Sequence, residues 1–130
     1  MMALDTNIIV RLITQDDADQ AGRARWLILQ HGGLVQTTVL LECEWVLRSV
    51  YGLARQDIAR AFAVLSATAE LEVENETLLA RAIEAYSGGM DFADAVHLAG
   101  SLGSEGFASF DAHLALHAPR FFPAHAVMVP

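Results

Sequence analysis

Residues 1–13 read MMALDTNIIVRLI, a short apolar run that meets an acid at Asp5 and then takes on helical periodicity. A second stretch has the same form, because FASF at residues 107–110 runs into Asp111. A short apolar segment bounded by a polar residue is typical of a buried strand. The two stretches therefore predict two strands, each ending at an aspartate that starts a helix.

Further short apolar segments alternate with helical ones. The predicted strands are Met1–Leu4, Leu34–Gln36, Leu71–Val73, Phe107–Phe110 and Val127–Val129. The predicted helices are Ile8–Ile13, Ala18–Gln30, a third from Thr37 or Thr38 as cap to about Val50, Asp57–Ala67, Thr77–Tyr86 and Phe92–Leu102. This alternation indicates the α/β class, a short parallel sheet with helices on both faces. Without a repeat or a linker, residues 1–130 are predicted to form one domain.

The charge pattern excludes several enzyme classes. The net charge is -8, and all eight residues in the Lys+Arg count are arginine. A chain without lysine cannot be a P-loop nucleotidase or a Schiff-base enzyme. The acidic balance disfavours nucleic acid as a partner unless several acids bind metal, because bound cations reverse the local sign of the charge.

The apolar content predicts a partner. Hydrophobic residues make up 54% of the chain, more than the usual 45–50% or so. We expect exposed apolar surface that meets a second copy or another protein. The single cysteine, Cys43, cannot form an internal disulfide, which favours a cytoplasmic location. No membrane span and no signal peptide are expected.

Asp5 and Asp111 each allow two interpretations. Parallel sheets place ligands at the carboxyl ends of their strands, where both acids are predicted to lie. Each acid could also cap the helix that follows it. Thr6 and Asn7 strengthen the capping interpretation for Asp5, but their side chains could equally bind metal-bound water. Neither acid decides the question alone.

Glu42 lies beside the predicted buried stripe of the third helix. That stripe is predicted to consist of Val39, Cys43, Val46, Leu47 and Val50. A carboxylate at the edge of a core needs a partner, either a metal ion or an arginine such as Arg11. Glu44 points away from the stripe and is expected to be solvated.

Asp91 and Asp94 stand three residues apart at the start of a predicted helix. This is the spacing of an N-cap residue and the third residue of the helix, so Asp91 is expected to cap. Asp94 would then point beyond the N-terminus of the helix, toward the strand ends. The spacing does not separate capping from metal binding.

The ordered set of motifs resembles the PIN-domain nucleases, and in particular the VapC-type toxins of toxin–antitoxin pairs. The motifs are DTN at Asp5, LLECEWVL around Glu42, DFADAVHLA around Asp94 and FASFDAHL around Asp111. The resemblance implies a three-layer, Rossmann-like fold and metal-dependent endonucleolytic cleavage of RNA. It places the metal, Mg²⁺ or Mn²⁺, on Asp5, Glu42, Asp94 and Asp111. It gives supporting hydroxyl positions to Thr6 and Ser109, although many relatives have threonine in place of Ser109.

The resemblance also implies partners, an RNA substrate and a small antitoxin protein that blocks the site. Four carboxylates suit hard divalent cations, which take oxygen ligands. Two other functions remain open. One is a PIN-like binding module whose acids only cap helices, and the other is a metal-dependent phosphatase acting on a small phosphate ester.

Overall fold

The computed structural model describes residues 1–130, which form two compact units, Met1–Glu76 and Thr77–Pro130. The strands are β1 (Met2–Ala3), β2 (Gly33–Val35), β3 (Leu71–Val73), β4 (Phe107–Ala108) and β5 (Val127–Met128). The helices are α1 (Thr6–Thr14), α2 (Ala18–His31), α3 (Thr37–Ser49), α4 (Arg55–Ala67), α5 (Glu76–Ser87), α6 (Phe92–Gly100) and α7 (Ala112–His117), and a 3₁₀ turn covers Ala118–Arg120.

The first unit is built on a three-stranded parallel sheet in the order β1-β2-β3. Gly33 opens the central strand, where it pairs with Met2 on one side and Leu71 on the other. A Cβ atom at position 33 would lie 2.6 Å from Leu4 Cδ1 and 2.9 Å from Leu71 Cδ2. The side chains of Leu4 and Leu71 therefore close over the backbone of β2, and a larger residue at position 33 would force them to shift.

Helices α1 to α4 complete the first unit. Helix α1 contacts α2 and α3, and α4 contacts α3 and β3. Apolar side chains from three of these elements form a fully buried core, represented by Ile9, Leu47, Ile58 and Phe62. Burial of each such side chain stabilises the fold by about 1.5–3 kcal/mol. This core holds the start of α1 and the middle of α3 in fixed positions.

The second unit pairs β4 with β5 in parallel and adds α5, α6 and α7. The rings of Tyr86 and Phe92 pack edge to face, with centroids 5.2 Å apart. The ring of Phe121 lies against the backbone of Gly88, where a Cβ atom would meet it at 2.3 Å. These contacts fix the end of α5 and the start of α6, the helix that carries Asp94.

The fold class predicted from the sequence is confirmed, since every strand pairing is parallel and helices separate the strands. Strands β1 and β4 are two residues long, shorter than predicted. The single-domain organisation stays a prediction. None of the helices is both long enough and apolar enough to cross a bilayer.

Two predictions about α3 are wrong. Thr37 is the first helical residue, and the N-cap position belongs to Gln36, whose side chain makes no capping bond. The buried face consists of Leu40, Cys43, Glu44 and Leu47, so it is rotated from the predicted stripe. Val50 is exposed, because the side of α3 that carries Val46 and Val50 borders an open cleft rather than the core.

Glu44 was predicted to be solvated, but it is only 4% exposed. Arg48 lies one turn later on the same helix and binds the carboxylate with both arms of its guanidinium. The Nε–Oε2 distance is 2.8 Å and the Nη2–Oε1 distance is 3.4 Å. A bidentate arginine provides the charge and the donors that a buried carboxylate needs. Helical periodicity alone does not reveal such a pair.

The first turn of α3 is capped by Glu74, the residue that follows β3. The backbone N–H of Thr37 donates to Glu74 Oε1 at 3.0 Å, across 37 residues of sequence. We expect Glu74→Ala to lower the free energy of unfolding by about 1 kcal/mol, because it leaves this N–H without its acceptor. Urea denaturation measures the difference. Glu74→Gln keeps an acceptor oxygen and should stay near the parent, and an equal loss in both variants would contradict the capping role.

Candidate active site

Asp5 directly follows the first strand and its neighbour Leu4, and it starts α1. Its Oδ1 accepts a hydrogen bond from the backbone N–H of Thr6 at 2.8 Å. The side chain is exposed, whereas Thr6 is buried. Asp5 therefore caps α1 through the backbone N–H of Thr6. One carboxylate oxygen accepts this bond, and the carboxylate keeps further acceptor capacity for a ligand.

Asp5 and Glu42 line the same cleft. It has a volume of about 290 Å³, and its walls come from α1, α3 and the residues after α3. The lining residues are Asp5, Thr6, Asn7, Val10, Arg11, Glu42, Val46, Val50 and Tyr51. The structure thus brings together two of the four predicted acids with two of the three predicted supporting residues. The alternative interpretation of Glu42, an ion pair with an arginine such as Arg11, is not found with Arg11, which pairs with Asp16 instead.

Cys43 is a buried residue near these two acids. Its side chain is fully buried, and its Sγ lies 3.8 Å from the carbonyl oxygen of Thr6, to which the thiol donates. The pKa of the Cys43 thiol is raised to about 12, chiefly by burial and to a smaller extent by the charges of Glu42 and Asp5. The charges of both carboxylates therefore act on the same buried thiol.

The second unit carries the other two predicted acids. Asp91 caps α6, and its Oδ2 accepts from the backbone N–H of Asp94 at 3.1 Å, as predicted. Burial raises the pKa of Asp94, the neighbouring charges of Asp91 and Asp111 raise it further, and His97 opposes them. Asp94 and Asp111 are thus close enough for their charges to interact.

Asp111 is the third residue after β4, and it caps α7. Its Oδ1 accepts from the backbone N–H of Leu114 at 3.0 Å. Its own backbone N–H donates to Ser109 Oγ at 3.0 Å. Ser109, predicted as a supporting hydroxyl, thus positions the backbone of the acid. Threonine offers the same oxygen, so the departure at this position leaves the bond available.

The raised pKa of Asp94 predicts an effect on stability. The charged form of Asp94 is disfavoured in the folded state. The stability that Asp94 contributes is therefore fully present below its ordinary pKa of 3.8, and it is lost as the pH rises through the raised pKa of the folded state. In metal-free buffer, Asp94→Asn should therefore melt at a higher temperature than the parent near neutral pH. Solvent access to the side chain keeps the gain small. Melting curves across pH measure it, and a difference that stays constant into acid would contradict the electrostatic origin.

The donor chemistry of both units fits a hard divalent cation. Mg²⁺ is usually bound through one or two carboxylates and several waters. The first unit offers Asp5 and Glu42 in a cleft with room for such an ion and its waters. The second unit offers Asp94 and Asp111. Neither unit by itself contains a group of three His, Cys, Asp or Glu side chains arranged to hold a metal ion.

Sequence reasoning missed Asp16 and Tyr51, which meet at Arg11 in the wall of the cleft. Arg11 Nη1 donates to Asp16 Oδ1 at 3.1 Å and to the Tyr51 hydroxyl at 2.8 Å. Tyr51 donates in turn to Asp16 Oδ2 at 2.8 Å. The hydrogen bond that Arg11 donates to Tyr51 raises the pKa of Arg11, and the hydrogen bonds that Asp16 accepts from Thr14 and Tyr51 lower the pKa of Asp16. No local motif signals a contact between residues 35 to 40 positions apart.

Comparison with known proteins gives one family. The family model described as PIN domain matches residues 2–120, which include all four predicted acids. No curated protein and no solved structure gives a significant match to the chain.

Proposed function

Because the chain belongs to the PIN-domain family, whose members are generally metal-dependent nucleases, we propose that it is a Mg²⁺- or Mn²⁺-dependent endoribonuclease. The observation that carries this proposal is the cleft shared by Asp5 and Glu42. Carboxylates in an open cleft are suited to hold a cation against a phosphodiester, whereas acids that only cap helices have no need of a common cavity.

In this proposal Asp5, Glu42, Asp94 and Asp111 hold the metal. A bound divalent cation would supply Lewis acidity toward the phosphate and a lowered pKa for water. Asp5 can bind a cation while its Oδ1 still accepts from Thr6, since a carboxylate oxygen has two lone pairs. Asn7 is exposed in the same cleft, where its amide can orient a water molecule or a phosphate oxygen. Ser109 fixes the backbone of Asp111.

The test compares three substrate classes in the presence of Mn²⁺. We expect internal cleavage of single-stranded RNA, no turnover of nitrophenyl phosphate, and loss of cleavage on adding EDTA. Turnover of the small ester alone would instead support a phosphatase. Failure to cleave any of several RNAs, together with unaltered melting in Mn²⁺, would support a binding module.

We further propose that the protein is the toxin of a VapBC-type pair and that it forms a homodimer. Support comes from the large apolar side chains left exposed in both units, among them Leu29, Trp45, Phe110 and Leu116. A small antitoxin protein or a second copy would cover such side chains. Light scattering should give twice the mass of the chain. Expression of the chain alone should arrest growth, and co-expression with a small antitoxin encoded beside it should relieve that arrest. A monomer that never arrests growth would contradict both parts.

A further inference from the structure

A second cavity lies beside the acidic cleft in the first unit. This groove, between α1 and α2, has a volume of about 610 Å³. It is lined by Asn7, Ile8, Arg11, Gln20, Arg23, Ala24, Trp26 and Leu27. Asn7 and Arg11 also line the acidic cleft, so the two cavities meet at these residues. A ligand that fills the cleft can therefore continue into the groove.

The two cavities differ in charge. The acidic cleft contains Asp5 and Glu42 together with one arginine, whereas the groove contains two arginines and no acid in its lining. Arg23 pairs with Asp19 at 3.6 Å, but both side chains are more than three-quarters exposed. An ion pair this exposed contributes little, and Arg23 can exchange it for a phosphate. The groove is thus suited to an anionic chain that extends from the cleft.

Trp26 forms the rim of the groove. It lies nearly one turn after Arg23 on α2 and is 62% exposed. Most of its indole surface is therefore not used in packing. Proteins that bind single-stranded nucleic acid combine exposed aromatic rings, on which bases stack, with basic side chains that contact the backbone. Trp26 and Arg23 provide both parts within one helix.

Arg11 is fixed at the junction of the two cavities. Besides its bonds to Asp16 and Tyr51, its Nε donates to Gln20 Oε1 at 2.7 Å. These three partners come from α2, from the residues before it and from the residues after α3. They use Nε and Nη1, and Nη2 takes no part in them. The guanidinium is thereby held in one orientation before any ligand arrives, which lowers the entropic cost of binding.

We propose that the groove between α1 and α2 binds a nucleotide that flanks the cleaved bond, with its base stacked on Trp26 and its phosphate held by Arg23 and Arg11. This inference rests on the proposed endoribonuclease function and extends it to a substrate subsite. Charge favours RNA over a protein segment as the occupant, because the residues at the junction and the rim offer cations and a flat ring.

The first experiment measures RNA binding without cleavage. All variants carry Asp5→Asn, and fluorescence anisotropy follows a labelled single-stranded RNA in the presence of Mg²⁺. Trp26→Ala should weaken binding between about fivefold and a hundredfold, the usual range for losing one stacked base. Trp26→Phe should keep most of the affinity. The matched control is Trp45→Ala, since Trp45 is 56% exposed but lies on α3 outside the groove.

The second experiment tests the phosphate contact through its salt dependence. Arg23→Gln should lower the slope of log affinity against log salt by about one. Arg60→Gln is the control, because Arg60 is as exposed as Arg23 and also pairs with an aspartate on its own helix. Arg60 lies on α4 and is not part of the groove lining.

The outcomes separate the subsite from the function it rests on. If the parent cleaves RNA but Trp26→Ala and Trp45→Ala bind RNA with equal affinity, the subsite alone is overturned. If the parent does not cleave RNA and the Asp5→Asn protein does not bind it, the proposed function and the subsite are overturned together. Loss of a co-encoded protein partner by Trp26→Ala, at unchanged RNA affinity, assigns the groove to that protein and also overturns the subsite.

Discussion

Asp5→Asn should reduce RNA cleavage by at least about a hundredfold. Replacing a residue that only supports a metal ligand already lowers activity by up to about this factor, and Asp5 is itself a proposed ligand. The fold should persist. Asparagine caps a helix as well as aspartate does, and its amide oxygen can still accept from the Thr6 N–H, which lies 2.8 Å from Oδ1 in the parent. The substitution removes a charge at nearly constant volume.

Melting in Mn²⁺ gives a readout that does not depend on activity. A ligand that binds only the folded state stabilises it by about 2.7 kcal/mol at a hundred times its dissociation constant. The parent should therefore melt at a higher temperature as Mn²⁺ is added, and Asp5→Asn should lose most of this shift. Asp91→Asn is the control, since Asp91 caps α6 and is not among the proposed ligands. If Asp5→Asn keeps both the shift and the cleavage, Asp5 is not a ligand.

The thiol of Cys43 should be almost inert in the folded protein. Its pKa is raised to about 12, whereas a free cysteine has a pKa of about 8.5. Because only the thiolate reacts, alkylation near pH 8 should be roughly a thousandfold slower than in urea-unfolded protein. Complete burial of the side chain slows it further. Labelling with iodoacetamide, followed by mass measurement, tests this expectation.

The same thiol offers a control for the site variants. Cys43 lies on α3 and donates to the carbonyl oxygen of Thr6 on α1, so a variant that loosens α1 or α3 would expose it. Asp5→Asn should remain slow to alkylate, because burial is the largest cause of the raised pKa. Rapid labelling of the native parent would contradict both the burial and the raised pKa.

The sequence predicted those parts of the site that depend on local order. Asp5 and Asp111 follow short apolar strands, and Asp91 and Asp94 have capping spacing, so their places at helix starts could be predicted. Glu42 lies inside α3, and it lines the same cleft as Asp5. Whether all four acids bind one metal stays a prediction.

The missed features all depend on how particular side chains pair and pack. Glu44 was expected to be solvated because the prediction considered its charge but not its bidentate partner, Arg48. Val50 looked buried because apolar character was taken as burial, although this residue borders a cleft. The contacts of Tyr51 with Asp16 and Arg11 follow only from the packing of α3 beside α1.

The capping of α3 by Glu74 has a consequence for the order of folding. The peptide from β2 to the end of α3 lacks a local capping side chain, so its first turn should fray until β3 has paired with β2. Closing a contact across 37 residues is slow compared with forming a helix. Glu42 lies in the second turn of that helix. We therefore expect amide exchange at Thr37 to follow the opening of β3, and the acidic cleft to be completed late in folding.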